Sequence, residues 1–338
     1  MLLSVIVPVF NTGEILINCI DSILQQTIRD FEIIIVDDGS TDSNTKQICD
    51  NYTRKFENVV LITKNNGGAA SARNAGISAS KGHYIGFVDS DDEIHPNMYN
   101  HLLVTAQTEV LSVVFCDKQI YGSKAIRYPK SLPKRTVYVR EEALSFLMLG
   151  YWHSVCTALY AKSVIQKHSF PEGETNEDYI FQFNVLWTTD RIGYIGEKYY
   201  RYIKRSNSIT TSEVSIKSDA WIAHTRTIQE IVCKSSLNSI LKHEATYQYL
   251  FSHIVMCNKI ALRFKKNDMQ TSVRSMYNTY SHEIRKCFFM LIFNSYFSLK
   301  YKICGLFLSL CPFLYIKIIP IIKSIVRIFQ NCNNRVRG

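Results

Sequence analysis

KGHYIGFVDSDDEIHP, residues 81–96, contains a short apolar segment, YIGFV, that runs directly into Asp89-Ser90-Asp91-Asp92. The same plan recurs upstream. Leu3 to Val9 is apolar and β-branched and leads to Asn11, Phe31 to Val36 leads to Asp37-Asp38-Gly39-Ser40, and Val59 to Thr63 leads to Asn66. A fifth strand is expected over Val110 to Cys116. Helical spacing fills the gaps. Leu16, Ile20, Ile23 and Leu24 share one face, and a cap at Thr41-Asp42 precedes Ile48, Tyr52 and Phe56 on another. Gly67-Gly68 opens a small-residue helix through Ala79, and Pro96 begins the next. Strands rich in Val and Ile that alternate with helices predict a mainly parallel sheet covered on both faces. Ligands of such sheets sit beyond the carboxyl ends of the strands. The polar residues singled out here all fall at those ends.

The chain has 338 residues, enough for two domains, and 46% hydrophobic against 20% charged residues excludes a disordered chain. The net charge of +10 is concentrated at one end, since from Arg285 onward there are nine basic residues and no acid. That distribution argues against nucleic acid as a partner and for an anionic membrane surface. The ten cysteines show no C-x-x-C spacing, so they read as reduced thiols rather than a zinc or redox site. MLLSVIVPVF lacks a basic start and carries a Pro, which makes it a poor signal peptide and a good first strand.

Four clusters can carry chemistry. Asp89 and Asp91, alternate residues past a strand end with Ser90 between them, can place oxygens around Mg²⁺ or Mn²⁺; an acidic surface turn is the plain alternative. Asp37 and Asp38 can accept from a base N–H or hold ribose hydroxyls, or they simply begin a turn and a cap. Gly67, Gly68 and Arg73, in NNGGAASARNAG (65–76), can bring a helix start and a positive charge to a diphosphate, although tight helix packing explains the small residues equally well. Glu177-Asp178 can supply a general base or form an exposed acidic helix start.

Together SVIVPVFN (4–11), DSILQQT (21–27), FEIIIVDDGSTD (31–42), NNGGAASARNAG (65–76), KGHYIGFVDSDDEIHP (81–96), NEDYIF (176–181) and RSNSIT (205–210) resemble the family 2 glycosyltransferases, in that family's order. The resemblance implies an α/β chain of GT-A nucleotide-diphospho-sugar transferase fold over residues 1–212, a Rossmann-like, mainly parallel sheet. Residues 1–117 would form the nucleotide-sugar half and 118–212 the acceptor half, with a helical region over 213–338. It implies that Pro8, Phe10 and Asn11 line the nucleotide pocket, that Asp38 binds the uracil edge with Asp37 close by, and that Asp89 and Asp91 are the DXD pair. Asp178 would be the catalytic base supported by Glu177, and Arg205 and Ser208 would belong to a late segment closing over the diphosphate. Two residues depart from the family pattern: Phe10 replaces a tyrosine, and Ala158 stands where many relatives carry Lys.

The expected reaction is an inverting, metal-dependent transfer of one sugar from a UDP-sugar to a lipid-linked saccharide. A processive synthase would carry several spanning helices and Q-x-x-R-W, and a nucleotidyltransferase a basic Gly-rich first loop; the chain has none of these. A non-catalytic membrane scaffold would have no need of Asp178. Residues 287–329 are apolar with interspersed Lys and Arg, and the uncharged run Ile303 to Ile316 is shorter than the roughly 20 residues of a spanning helix. The segment reads as an in-plane anchor on the cytoplasmic face of the inner membrane, a peripheral placement, with a buried terminal helix pair and a re-entrant hairpin as the alternatives.

Overall fold

The computed structural model describes residues 1–121, 136–203, 219–263 and 271–319. The chain divides into two compact units, Met1–Ser212 and Glu213–Gly338.

The first unit begins with β1 (Leu3–Val9), α1 (Ile15–Leu24), β2 (Phe31–Asp37), α2 (Ser43–Lys55), β3 (Val59–Thr63), α3 (Gly68–Ala79), β4 (Tyr84–Phe87), β5 (Glu93–Ile94) and α4 (Met98–Thr108). It continues with β6 (Val113–Tyr121), β7 (Val137–Val139), α5 (Arg140–Met148), β8 (Ala158–Ala161), α6 (Lys162–Ile165), α7 (Glu177–Trp187) and β9 (Arg191–Ile203). The sheet order is β3-β2-β1-β4-β8-β6-β9-β5, with β7 also on β9. β3, β2, β1 and β4 are mutually parallel, so their carboxyl ends share one edge. Val5, Ile6, Val7, Ile33, Ile34 and Ile35 are almost fully buried, as continuous apolar strands must be when helices cover both faces.

The second half of the sheet departs from a simple parallel series. β8 inserts antiparallel between β4 and β6, so β6 does not pair with β4. The expected fifth strand also starts later, at Val113. Val110 sits at φ 53°, left-handed and 84% exposed, where it closes α4, because the Leu111 N–H returns to the Ala106 carbonyl. A β-branched residue is strained there, so the chain turns before pairing begins.

Pro8 lies inside a central strand, where a missing N–H usually costs a ladder bond. The Ile6 carbonyl accepts from Val88 on the β4 side, and pairing with β4 ends at Ile6 and Phe87. Two residues on, Pro8 faces that same side beyond the last pair, so no bond is lost. The resulting gap between β1 and β4 is the point where the strand order reverses, the crevice in which open α/β sheets bind ligands.

The second unit comprises α8 (Ala220–Lys234), α9 (Ser239–Arg263), α10 (Thr271–Lys286), α11 (Phe288–Phe293), α12 (Leu299–Leu310) and helical residues 312–319. Polar ties run through its interior. Thr225 and Ser252 hydroxyls bond at 3.0 Å, the Tyr296 hydroxyl donates to Glu244 at 2.7 Å, and Tyr277 donates to the Pro312 carbonyl at 2.7 Å. Among the described residues no helix is long and apolar enough to cross a membrane.

Candidate active site

Each carboxyl-end loop of the parallel strands contributes to one connected polar surface. Asn11, at φ 49° just past β1, accepts from the Thr41 and Asp42 N–H groups at 2.7 and 3.2 Å, and its own N–H donates to Ser40 Oγ. Asp37 accepts from the Ser40 N–H at 2.9 Å, which fixes the turn after β2. The Thr12 and Ser90 hydroxyls meet at 2.8 Å and bridge the loops after β1 and β4 across the crevice. Phe10 is half exposed beside them, at 49%.

Asp38 is buried and fully engaged. Its oxygens accept from the Gly67 N–H at 3.0 and 3.1 Å and the Gly68 N–H at 2.6 Å, and Lys64 Nζ lies at 2.7 Å. The start of α3 favours an anion, as its sequence suggests, and the anion it holds is the chain's own carboxylate. Gly39 must be glycine for this approach, since a Cβ there would lie 2.8 Å from the Asn66 nitrogen.

The centre of the site is Arg73 on α3. It is 4% exposed, and its Nη2 donates to Asp89 at 2.8 Å while Nη1 donates to Glu177 and Asp178, both at 2.9 Å. The guanidinium lies over the Phe170 ring at 5.5 Å, and Phe170 stacks on Phe181 of α7 at 3.7 Å. Asn74, the next residue, completes the join by bonding both the N–H and the carbonyl of Phe170 and the Glu172 carboxylate. From sequence, Arg73 reads as charge beside a diphosphate. In the structure both Nη atoms are occupied by carboxylates, and Arg73 joins the acidic turn after β4 to the first turn of α7. Nothing in the spacing reveals this, because the partners lie 16, 104 and 105 residues away.

Burial pushes the Asp178 carboxyl up to about 7, with Glu177 and Asp89 adding to the rise and Arg73 opposing it. A quarter of its side chain still reaches solvent. A carboxyl of this kind can accept a proton near neutrality. It is set by Asn176, which enters α7 at φ 58° and turns Glu177 and Asp178 toward Arg73.

Asp92 behaves differently from its neighbours. It is 1% exposed, accepts from the Tyr200 hydroxyl at 2.7 Å and the Ile203 N–H at 2.8 Å, and is pushed up to about 7 by burial and by Asp89. The same Tyr200 hydroxyl accepts from the Asp89 N–H at 3.3 Å. Asp92 thus ties the acidic turn to the end of β9, and sequence reading identifies neither Tyr200 nor this link.

Asp89, 35% exposed, and the half-buried Asp91 remain on the outer side of the turn. Among the described residues no three His, Cys, Asp or Glu side chains form a complete metal cage. Two carboxylates fit the hard cations Mg²⁺ and Mn²⁺, which take one or two protein oxygens and complete their shell with water and phosphate. Ala158 is fully buried on β8. Arg205 and Ser208 lie outside the described residues.

Residues 4–168 match the model of glycosyl transferase family 2. The glycosyltransferase GlyG of Streptococcus pneumoniae is 34% identical over 251 residues, 71% of this chain and 81% of GlyG. The poly(ribitol-phosphate) beta-glucosyltransferase of Bacillus spizizenii is 48% identical over 98 residues, 28% of this chain and 15% of that protein. The crystal structure of S. aureus TarS 1-349 in complex with UDP-GlcNAc is similar with a TM-score of 0.72 at 20% identity, over 95% of this chain and 90% of that one.

Proposed function

The chain belongs to glycosyl transferase family 2 and is a glycosyltransferase of α/β, GT-A fold; from that premise we propose that it transfers a single hexose from a UDP-sugar, with inversion, to a lipid-linked glycan of a bacterial surface polysaccharide such as O-antigen or capsule. The observation that carries this reading is the Arg73 cluster, which holds an acidic turn at the strand-order reversal beside a raised carboxyl on α7.

Pro8, Phe10, Asn11 and Ser90 border the crevice where the nucleotide lies, with Phe10 offering an exposed ring to the base. Asp37 and Asp38 shape its far wall, Asp38 held by Gly67 and Gly68. Asp89 and Asp91 would hold Mg²⁺ or Mn²⁺, which when bound neutralises charge on the diphosphate. Asp178 takes the proton of the acceptor hydroxyl as that oxygen bonds to the anomeric carbon. The bond from that carbon to the UDP oxygen breaks, and UDP leaves with the electron pair. Glu177 shares Arg73 with Asp178 and keeps it oriented. Arg205 and Ser208 are assigned to the diphosphate on resemblance alone.

The TarS complex, with UDP-GlcNAc, supports a uridine nucleotide. The Bacillus relative's named acceptor, poly(ribitol-phosphate), supports a polyhydroxyl acceptor. The basic, apolar end of the chain supports work at the cytoplasmic face of the inner membrane, on an anionic surface.

The test is UDP release with Mn²⁺, screening UDP-sugars against a synthetic GlcNAc-diphospho-lipid. Release that requires one donor, the acceptor and the metal is the expected outcome. Asp178→Asn should lower turnover by about 10²–10⁴-fold while UDP still binds. A variant that retains full turnover would remove Asp178 from the mechanism, and absence of UDP binding by the wild type would overturn the reading.

A further inference from the structure

The second unit exposes its largest apolar side chains along two helical stripes. On α11 these are Phe289, Met290 and Phe293, at 73, 50 and 81% exposed, while Leu291 is buried. On α12 they are Leu299, Ile303, Leu306, Phe307 and Leu310, between 38 and 74% exposed, spaced i, i+4, i+7, i+8 and i+11 on one face. The other face of α12 is buried at Cys304, Gly305 and Leu308, and Gly305 abuts Leu291. Both helices are therefore packed inward by one side and apolar on the side that meets solvent. An apolar surface of this extent marks an interaction site.

Charge selects its occupant. The stripes lie in the part of the sequence that has nine basic residues and no acid. Beside α12, the α10 residues Asn278, Ser281, His282 and Arg285 line an open cleft of about 250 Å³ together with Pro312 and Phe313. Arg285 Nε donates to the Ser309 carbonyl at 2.6 Å, which fixes the guanidinium at the end of α12, and it has no second partner among the described residues. A fixed guanidinium with an amide and an imidazole in one cleft has the donors to bind a phosphate, while the Ser281 hydroxyl is engaged by the Asn278 carbonyl at 3.1 Å.

We propose that the outward stripes of α11 and α12 seat on an anionic lipid leaflet, with the Arg285 cleft receiving a lipid headgroup phosphate. This deepens the reading of the chain as an enzyme of membrane-held acceptors and names the surface that meets the bilayer. The helices lie in the interface rather than across it.

The test is flotation of the full-length protein with phosphatidylcholine vesicles, with or without about one third phosphatidylglycerol. UDP release on a soluble acceptor is measured in parallel. The wild type is expected to float with the anionic vesicles. Phe289→Ser with Phe293→Ser should weaken binding to them at least about tenfold, and Arg285→Gln should cut the preference for anionic over neutral vesicles about fivefold. All these variants should retain UDP release. Leu310→Trp should be quenched by brominated lipid, a readout independent of the substitutions that weaken binding. Flotation unchanged in the double variant, or anionic preference unchanged in Arg285→Gln, overturns the proposal. So does a wild type that releases UDP and never floats, or one that buries these stripes in a dimer instead. Flotation without UDP release under any donor would sink the catalytic reading and leave the docking surface standing.

Discussion

The Arg73 cluster and the α11–α12 surface are opposites. In the first, a buried arginine gathers three partly exposed carboxylates, each tied to it, while the apolar side chains around them are hidden. In the second, no buried ion-pair cluster holds the described interior, which is tied by hydroxyls that meet one another, a carbonyl and the Glu244 carboxylate, and Phe and Leu side chains face outward. The first arrangement is stable because every buried charge has its partner within the fold. The second is stable because α12 has a second, buried face, so its exposed stripe is free to serve something outside the chain. Side-chain polarity alone does not tell inside from outside here; what each group can pair with does.

Removing Arg73 against removing an exposed leucine is the sharpest way to break this contrast. Arg73→Gln leaves three like charges without their cation, and about 3–5 kcal/mol should be lost in urea unfolding. Leu299→Ser, at a position 74% exposed, should stay within about 0.5 kcal/mol. Equal losses would dissolve the distinction.

Two glycines sharpen it at the level of packing. A Cβ on Gly82 would lie 2.5 Å from the Ser4 nitrogen and 2.6 Å from the Leu3 carbonyl carbon, backbone atoms of the central strand. Gly82→Ala should therefore cost about 3 kcal/mol. Gly305 meets only the tip of Leu291, and Ala gains about 1 kcal/mol of helix propensity, so Gly305→Ala should cost about 1 kcal/mol or less. Thermal unfolding of the two variants checks the order.

The helical interior carries its own pH dependence. Buried His253 donates from Nδ1 to the Tyr249 carbonyl, has no Nε2 partner among the described residues, and is held down to about 4 by burial, with the Tyr249 carbonyl bond, Glu283 and Asp219 opposing and Arg226 adding. The unfolded chain takes the proton first, near 6.5. Stability is thus fully present above that pH and falls as the pH drops toward 4, by about 2 kcal/mol at pH 5. His253→Gln should flatten this loss in denaturant titrations at several pH values; an unchanged slope would assign it to other groups. The smallest effect belongs to Asp42, which caps α2 by accepting the Thr45 N–H at 2.7 Å. Asp42→Ala should cost about 1 kcal/mol, read as a small shift of the unfolding midpoint.

Much of the first half of the sheet was legible because its signals are local. Val and Ile runs mark β1 to β4, and the Asp42 cap and the Gly67-Gly68 opening place α2 and α3. What could not be read is long-range. β8 follows β4 by some 70 residues in the chain and pairs beside it because its partners fit, not because any spacing announces it. The same holds in the site. Asp89, Glu177 and Asp178 can be picked out as acids at strand and helix ends, but their meeting on Arg73 depends on Phe170 and Asn74 aligning two distant loops. Asp92 looks identical to its neighbours in sequence, and only burial against Tyr200 sets it apart.

The Arg73 join also bears on ancestry. Asp89 follows β4, and Glu177 and Asp178 open α7 far along the chain, yet all three grip one arginine. The stretches that carry them are therefore not interchangeable cassettes. A chimera spliced between them inherits a working centre only if both parents agree on the arginine, the three acids and the asparagine that aligns them. Recombination among relatives should then favour crossovers that leave this set intact, and diversify the enzyme through the loops and the helical unit instead.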